Sequence, residues 1–158
     1  MDKKTVLNQL ITQLISDIEM TTQSALAAKE AAIHQESKAE DQYDTRGLEA
    51  SYLAGAQASR VSEMEELLAI YRNLDLRTFD SNTPISATAL VELRSDEKTV
   101  YCFLLPKGGG RSTSYAGKTV QVTTPQSPLG AALLGRKVGD EIEIISPTVR
   151  EYEIVGIF

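Results

Sequence analysis

Apolar or small side chains recur at Leu7, Ile11, Leu14, Ile18, Thr21, Ala25, Ala28 and Ala32, in alternating steps of four and three. That spacing is a heptad seam, the pattern of a helix that buries one narrow stripe against another helix. Neither glycine nor proline occurs between Met1 and Arg46, and the first proline of the chain is Pro84. Nothing therefore interrupts a long helix. A second seam runs through Ala50, Ala54, Gln57, Val61, Met64, Leu68 and Tyr71, with Leu67 and Leu74 beside it. Between the seams lies a polar stretch, Gln35 to Gly47, in which Gly47 is the natural point of chain reversal. The pattern predicts an antiparallel coiled-coil hairpin over residues 1–76, with arms of about 30 to 35 residues reaching on the order of 45–50 Å. Large side chains begin the first seam and end the second, and alanine takes over toward the turn on both. Such a hairpin tapers into a thin finger.

Beyond it the period changes. Residues 77–86, RTFDSNTPIS, read as a linker that stops helix at Pro84. Short runs rich in β-branched and aromatic residues then predict strands at 88–93, 99–105, 119–123, 141–145 and 151–157. SDEK at 95–98 reads as the turn joining the first two, and KGGG at 107–110 as a flexible loop. A glycine run can cradle phosphate, but no Gly-Lys-Ser/Thr signature and no strand–loop–helix unit accompanies this one. Ser127-Pro128 opens a short helix, with serine as N-cap and proline in the first turn, running to about Leu134 and stopping at Gly135. Val138-Gly139-Asp140 turns the chain into a last hairpin. Residues 87–158 thus read as a small sheet-plus-helix domain, a binding module.

Composition narrows the function classes. Apolar residues make up 42% and charged residues 24%, a globular balance. No run approaches the roughly 18 apolar residues of a membrane span, and the start of the chain lacks the apolar core of a secretory signal, so a cytoplasmic protein is expected. Cys102 is the single cysteine, which excludes an intramolecular disulfide; within VYCFLL it reads as a buried, inert thiol. His34 is the single histidine, so no Ser/His/Asp or Cys/His set arises elsewhere and a conventional enzyme is not expected. The net charge of −6 is unevenly placed: residues 1–76 hold 7 Lys and Arg against 13 Asp and Glu, and residues 77–158 hold 9 of each. An acidic finger argues against a nucleic-acid backbone as its partner and favours a cationic surface or a metal ion. The acids crowd the turn, where Glu36, Glu40, Asp41, Asp44 and Glu49 face only Lys38 and Arg46. Two readings stand: a solvated turn, or a carboxylate cluster that helps hold Mg²⁺, which prefers oxygen ligands.

The segment VQVTTPQSPLGAALLGRKVGDEIEI at 120–144 resembles the C-terminal domain of the bacterial Gre transcript-cleavage factors. That family's pattern is a strand, Ser-Pro, a short helix ending in Leu/Ile-Gly-Lys/Arg, and Gly-Asp-Glu before the next strand. Here these are Ser127-Pro128, Leu134-Gly135-Arg136-Lys137 and Gly139-Asp140-Glu141, and the closing REYEIVGIF resembles the family's last strand. The resemblance implies an α+β protein, the coiled-coil hairpin followed by an FKBP-like antiparallel sheet-plus-helix domain, without implying isomerase activity. It implies an accessory factor that docks on RNA polymerase through Gln126, Ser127 and Pro128 and inserts its hairpin into the secondary channel; the seams, matched in length across Gly47, predict that the hairpin closes within one chain and the protein is a monomer. There the tip carboxylates Asp41 and Asp44, with Glu40 and Glu49 as runners-up, would share a Mg²⁺ with the polymerase, which itself cleaves the 3′ end of backtracked RNA. The chain departs from the pattern at two places. Gln126 stands where the family has Asp or Asn, and EDQYDTRGLEASY at 40–52 stands in place of a loop reading about D-L-S-E-N. The changed tip leaves a second expectation open, a secondary-channel regulator that inhibits polymerase without supporting cleavage.

Overall fold

The computed structural model describes residues 1–36, 46–95, 98–145 and 148–158. Two long helices come first, α1 over Lys3–Glu36 and α2 over Arg46–Arg72. At ~1.5 Å per residue they are about 51 and 40 Å long. The chain forms two compact units, Met1–Leu10 with Asn73–Phe158, and Ile11–Arg72.

Within Ile11–Arg72, burial follows the predicted seams. Leu14 is buried and Ile18, Thr21, Ala25 and Ala28 are half-buried, while Glu19, Met20, Thr22, Gln23 and Ser24 between them are exposed. On α2 the covered positions are Ala54, Gln57, Val61, Met64 and Tyr71. Leu67 is buried and Leu68 only half-buried, the reverse of the expected order. An α-helix drifts by ~20° per heptad against a strict 3.5-residue repeat, and that drift exchanges neighbours on the seam. Gly47 is a second correction: it lies in the first turn of α2 and does not reverse the chain. The first four N–H groups of a helix have no partner within it, so a flexible residue disturbs less there than in the interior.

Gln57 is the polar residue of the α2 seam, and its Oε1 is shielded from solvent without a hydrogen-bond partner. A shielded, unpaired amide oxygen costs roughly 1–3 kcal/mol. Gln57→Leu should therefore raise the thermal midpoint, by an amount equivalent to about 1 kcal/mol; a fall on calorimetric unfolding would show that the glutamine fixes the register of the helix pair instead.

Residues 90–157 form a six-stranded sheet with one short helix. The strands are β1 (Leu90–Arg94), β2 (Thr99–Leu104), β3 (Ser112–Tyr115), β4 (Lys118–Thr123), β5 (Glu141–Ile145) and β6 (Val149–Ile157), in the order β3-β4-β2-β1-β6-β5. The helix α3 spans Pro128–Leu133. Five strands coincide with the predicted runs, and β3 is an addition. Its sequence, STSY, is short and polar and carries no apolar run to mark it. Its presence alters the topology: β4 forms a hairpin with β3 and then lies parallel to β2, so the sheet is mixed where an antiparallel one was expected. The KGGG stretch belongs to the crossover from β2 to β3 and is held by Gly110 N–H to Val122 O at 3.1 Å and Arg111 N–H to Gly108 O at 3.3 Å.

The core lies on the face of the sheet that α3 covers. Val91, Leu93, Cys102, Leu104, Ile142 and Ile154 meet Leu133 there. Ile85, inside the stretch that reads as linker, joins them and exchanges backbone hydrogen bonds with Gly135 and Arg136. The first turn of α1 is tied to the same unit: the Lys3 ammonium donates to the carbonyl of Arg77 and to those of Thr88 and Phe158 at 3.2 and 3.1 Å, and lies 4.5 Å from the centre of the Phe79 ring. Thr88 holds a left-handed φ of 71°, rare for a β-branched residue; its Oγ1 accepts from Arg77 N–H and its own N–H donates to Leu104 O.

Cys102 is 1% exposed, and burial pushes its thiol up to about 12. The thiolate is the reactive form, so at pH 8 only about one molecule in ten thousand would carry it, behind a closed core. A disulfide reagent at pH 8 should label Cys102 at least about 100-fold more slowly than the urea-unfolded chain. Equal rates would place the thiol at the surface.

Candidate functional site

The Ser127-Pro128 turn is built by one carbonyl. After β4 the chain turns through Pro125 and Gln126, and Thr124 O accepts from Ser127 N–H at 3.0 Å and from Ser127 Oγ at 2.8 Å. The Ser127 hydroxyl oxygen in turn accepts from Gly130 N–H at 3.0 Å, capping α3. Pro128 follows at the first helical position, where its missing N–H costs nothing. A Cβ on Gly130 would come within 1.9 Å of Thr124 O, so the turn and the helix pack as closely as backbone allows. The three residues predicted to dock differ in exposure. Ser127 is half-buried and its hydroxyl is engaged in fixing the turn, whereas Gln126 and Pro128 are exposed and available to a partner.

Two other predicted motifs serve the same scaffold. Gly135 ends α3 with φ 77°, and its N–H donates to Ile85 O at 2.8 Å. Gly139 takes φ 89° in the turn before β5, where the Asp140 carboxylate accepts from Lys137 N–H at 2.9 Å. Both are left-handed positions that glycine occupies without steric cost.

Beside the turn, the core opens into a groove of about 590 Å³. Its floor is Leu93, Val122 and Tyr152, all buried, with Leu129 and Ile144 half-buried along it. Ser127 and Pro128 border it, and among the described residues Lys98 and Arg150, both exposed, supply its charge. Sequence reasoning missed this groove. Its residues come from five strands, three loops and α3, and the mixed topology brings them together.

Strand alternation sorts the remaining charge. In the β5–β6 ladder Ile142 pairs with Tyr152 and Ile144 with Arg150, which places Arg150 on the groove side. The intervening pairs are Glu141 with Glu153 and Glu143 with Glu151, so four glutamates share the opposite face. They line a separate hollow of about 630 Å³. Like charges directly opposite destabilise a sheet; Arg94 relieves one pair by binding Glu153 at 2.6 Å.

Of the tip carboxylates, Asp41, Asp44 and Glu40 lie outside the described residues, and Glu49 is exposed in the first turn of α2. Among the described residues no group of three or more His, Cys, Asp or Glu side chains is arranged to hold a metal. No helix among them is long and apolar enough to cross a membrane.

Comparison with known proteins bears on the sheet domain first. The family described as transcription elongation factor, GreA/GreB, C-terminal domain, matches residues 85–158. Among curated proteins, transcription elongation factor GreA of Syntrophus aciditrophicus is 30% identical over 101 residues, 63% of this chain and 59% of that protein. GreA of Nitratidesulfovibrio vulgaris is 33% identical over 106 residues, 65% of this chain and 61% of that protein. The chain thus spans about three fifths of the length of these relatives. Among solved structures, GreA factor homolog 1 of Thermus thermophilus aligns over 94% of both chains at 22% identity with a TM-score of 0.39.

Proposed function

We propose that the chain is a transcription elongation factor of the GreA/GreB type, an accessory factor of RNA polymerase which stimulates cleavage of backtracked transcripts; the match of residues 85–158 to that family's C-terminal domain supports the reading. The observation that carries this reading is the family match over residues 85–158, joined to two helices of 34 and 27 residues with an acidic stretch of sequence between them. The sheet domain docks and the hairpin delivers carboxylates to the polymerase active centre, while the factor itself acts as a monomer.

Each part follows from its chemistry. Gln126 and Pro128 stand exposed on a turn that Thr124 O and Ser127 Oγ hold rigid, and a rigid projection loses little entropy on binding. Pro128→Ala removes ring surface from that projection and should weaken polymerase binding several-fold. An unchanged affinity would move the docking site elsewhere. In the acidic stretch of the sequence, Asp41 and Asp44 are oxygen donors of the kind Mg²⁺ accepts, and the polymerase would supply the remaining ligands. The metal, when shared, would lower the pKa of a bound water and stabilise charge at the phosphate. The task of the carboxylates is to add negative charge and oxygen ligands at a place the polymerase leaves short of them.

The direct test adds purified protein to an elongation complex backtracked by a known distance. Shortened RNA with a regenerated 3′ end is the expected product. Polymerase binding without shortening would favour the second reading, a non-cleaving secondary-channel regulator, which the departure of residues 40–52 from the family's loop supports. No binding at all would refute both.

A further inference from the structure

We propose that Tyr52 is a positioning residue for RNA, whose exposed ring stacks on an unpaired base near the 3′ end of the backtracked transcript and steadies that end for cleavage. The inference rests on the cleavage reading above and adds the means by which an acidic helix pair keeps hold of RNA.

Among the described residues Tyr52 stands apart from the other aromatics. Tyr71, Tyr101, Phe103 and Tyr152 are buried, Phe79, Tyr115 and Phe158 are half-buried, and Tyr52 is 72% exposed. A ring in solvent adds little to the packing of its helix. Tyrosine is also a poorer helix former than the alanines at 54, 56 and 58 that follow it on α2. Neither packing nor propensity accounts for a tyrosine at this position. Its placement does. Tyr52 lies six residues into α2, about 9 Å along the axis from Arg46, where the helix leaves the acidic stretch of the sequence. Glu49, also exposed, stands three residues earlier and so shares its face, whereas Ala54 and Gln57 turn to the seam. A carboxylate and an aromatic ring are thus presented together. The charge of the region makes the ring useful. Residues 1–76 hold 13 acids against 7 bases, so a phosphate backbone gains no net attraction there. A neutral aromatic face needs no opposite charge, and every base has a π-face to lay on it. The unpaired end of a backtracked transcript offers its bases in that way, as duplex nucleic acid does not. Holding that end in one orientation speeds attack on its phosphodiester by removing wasted motion.

The test uses the full chain and bacterial elongation complexes backtracked by a known distance, with a purine or a pyrimidine at the transcript 3′ end. Tyr52→Ala should slow stimulated cleavage at least about 10-fold, and more on purine ends than on pyrimidine ends, because the larger base stacks more strongly. Polymerase affinity should change by less than about twofold, since the docking turn is untouched. Tyr52→Phe and Tyr52→Trp should keep the parental rate, each retaining a ring. Alanine is the better helix former, so a loss of rate in Tyr52→Ala with an unchanged melting curve is not a folding defect. In parallel, a photoreactive thiouridine at the 3′ end is irradiated with the parent protein bound, and an adduct at Tyr52 is expected. If the parent shortens RNA and Tyr52→Ala does so equally well, the stacking assignment falls while the cleavage reading survives. If the parent shortens no RNA yet the adduct forms at Tyr52, the cleavage reading falls and the ring remains an RNA contact. A Tyr52→Phe variant as slow as Tyr52→Ala would assign the role to the hydroxyl and overturn stacking. Adducts confined to other residues would overturn it as well.

Discussion

Asp44→Asn is expected to lower stimulated transcript cleavage by at least about 10-fold, at limiting Mg²⁺, with polymerase affinity changed by less than about twofold. Asparagine keeps the size of the side chain and one oxygen but loses the charge that makes a carboxylate a useful Mg²⁺ ligand. Asp41→Asn should act in the same direction. Because metal retention follows mass action, raising Mg²⁺ should restore part of the lost rate, which a folding defect would not allow. Polar substitutions of this kind at a surface usually move stability by no more than about 0.5 kcal/mol, so the variant's melting curve should overlay the parent's. The comparison is run with Glu40→Gln and Glu49→Gln alongside. If the two aspartate variants cleave like the parent at limiting Mg²⁺, the assignment passes to those glutamates.

The second large effect concerns stability. Leu133→Ala should destabilise the sheet domain by about 2–5 kcal/mol, the usual cost of removing a fully buried leucine from a packed core. Leu133 is 0% exposed and belongs to the cluster formed with Val91, Leu93, Cys102 and Ile154. A helix of six residues has no stability of its own, so α3 stays in place through that side chain and its cap. Loss of the anchor should loosen the Thr124–Ser127 turn as well. Polymerase binding should therefore fall with temperature earlier in the variant than in the parent. Denaturant midpoints of the two proteins within about 0.5 kcal/mol of each other would show that the cluster collapses around the gap at little cost.

How much of this was legible in the sequence depends on whether the signal was periodic. The seam from Leu14 to Ala28 is covered where its spacing predicts, because a helix can bury a narrow stripe only by keeping that repeat. Five strands were legible from their β-branched runs. β3 was not, since a four-residue polar edge strand contributes ladder hydrogen bonds without an apolar pattern. Missing it hides the parallel β2–β4 pair and, with that pair, the groove. Gly47 misled for a local reason: glycine marks chain reversal on average, yet a helix's first turn tolerates it. The Ser127 cap was read correctly as local structure, because the bond from Gly130 N–H lies within four residues. Lys98 and Arg150 carried no such mark, being 52 positions apart and joined only through the sheet.

The position of β6 governs when this domain can form. Its partner β1 lies near the start of the sheet domain, and the ladder closes through Val91 with Ile157 and through the reciprocal bonds of Leu90 with Phe158. Lys3 adds a bond to the Phe158 carbonyl across 155 positions. Loops that long are slow to close, and no ribosome-bound intermediate lacking residues 154–157 can complete the centre of the sheet. The two helices depend on short-range bonds and can order while synthesis continues, on the microsecond scale of helix formation. A nascent chain should therefore pass through a stage with folded helices and an open sheet, its apolar strands β1 and β2 bare to chaperones. Refolding of the finished protein should show the same separation, a fast far-ultraviolet phase followed by a slower one reported by the tyrosines of the sheet.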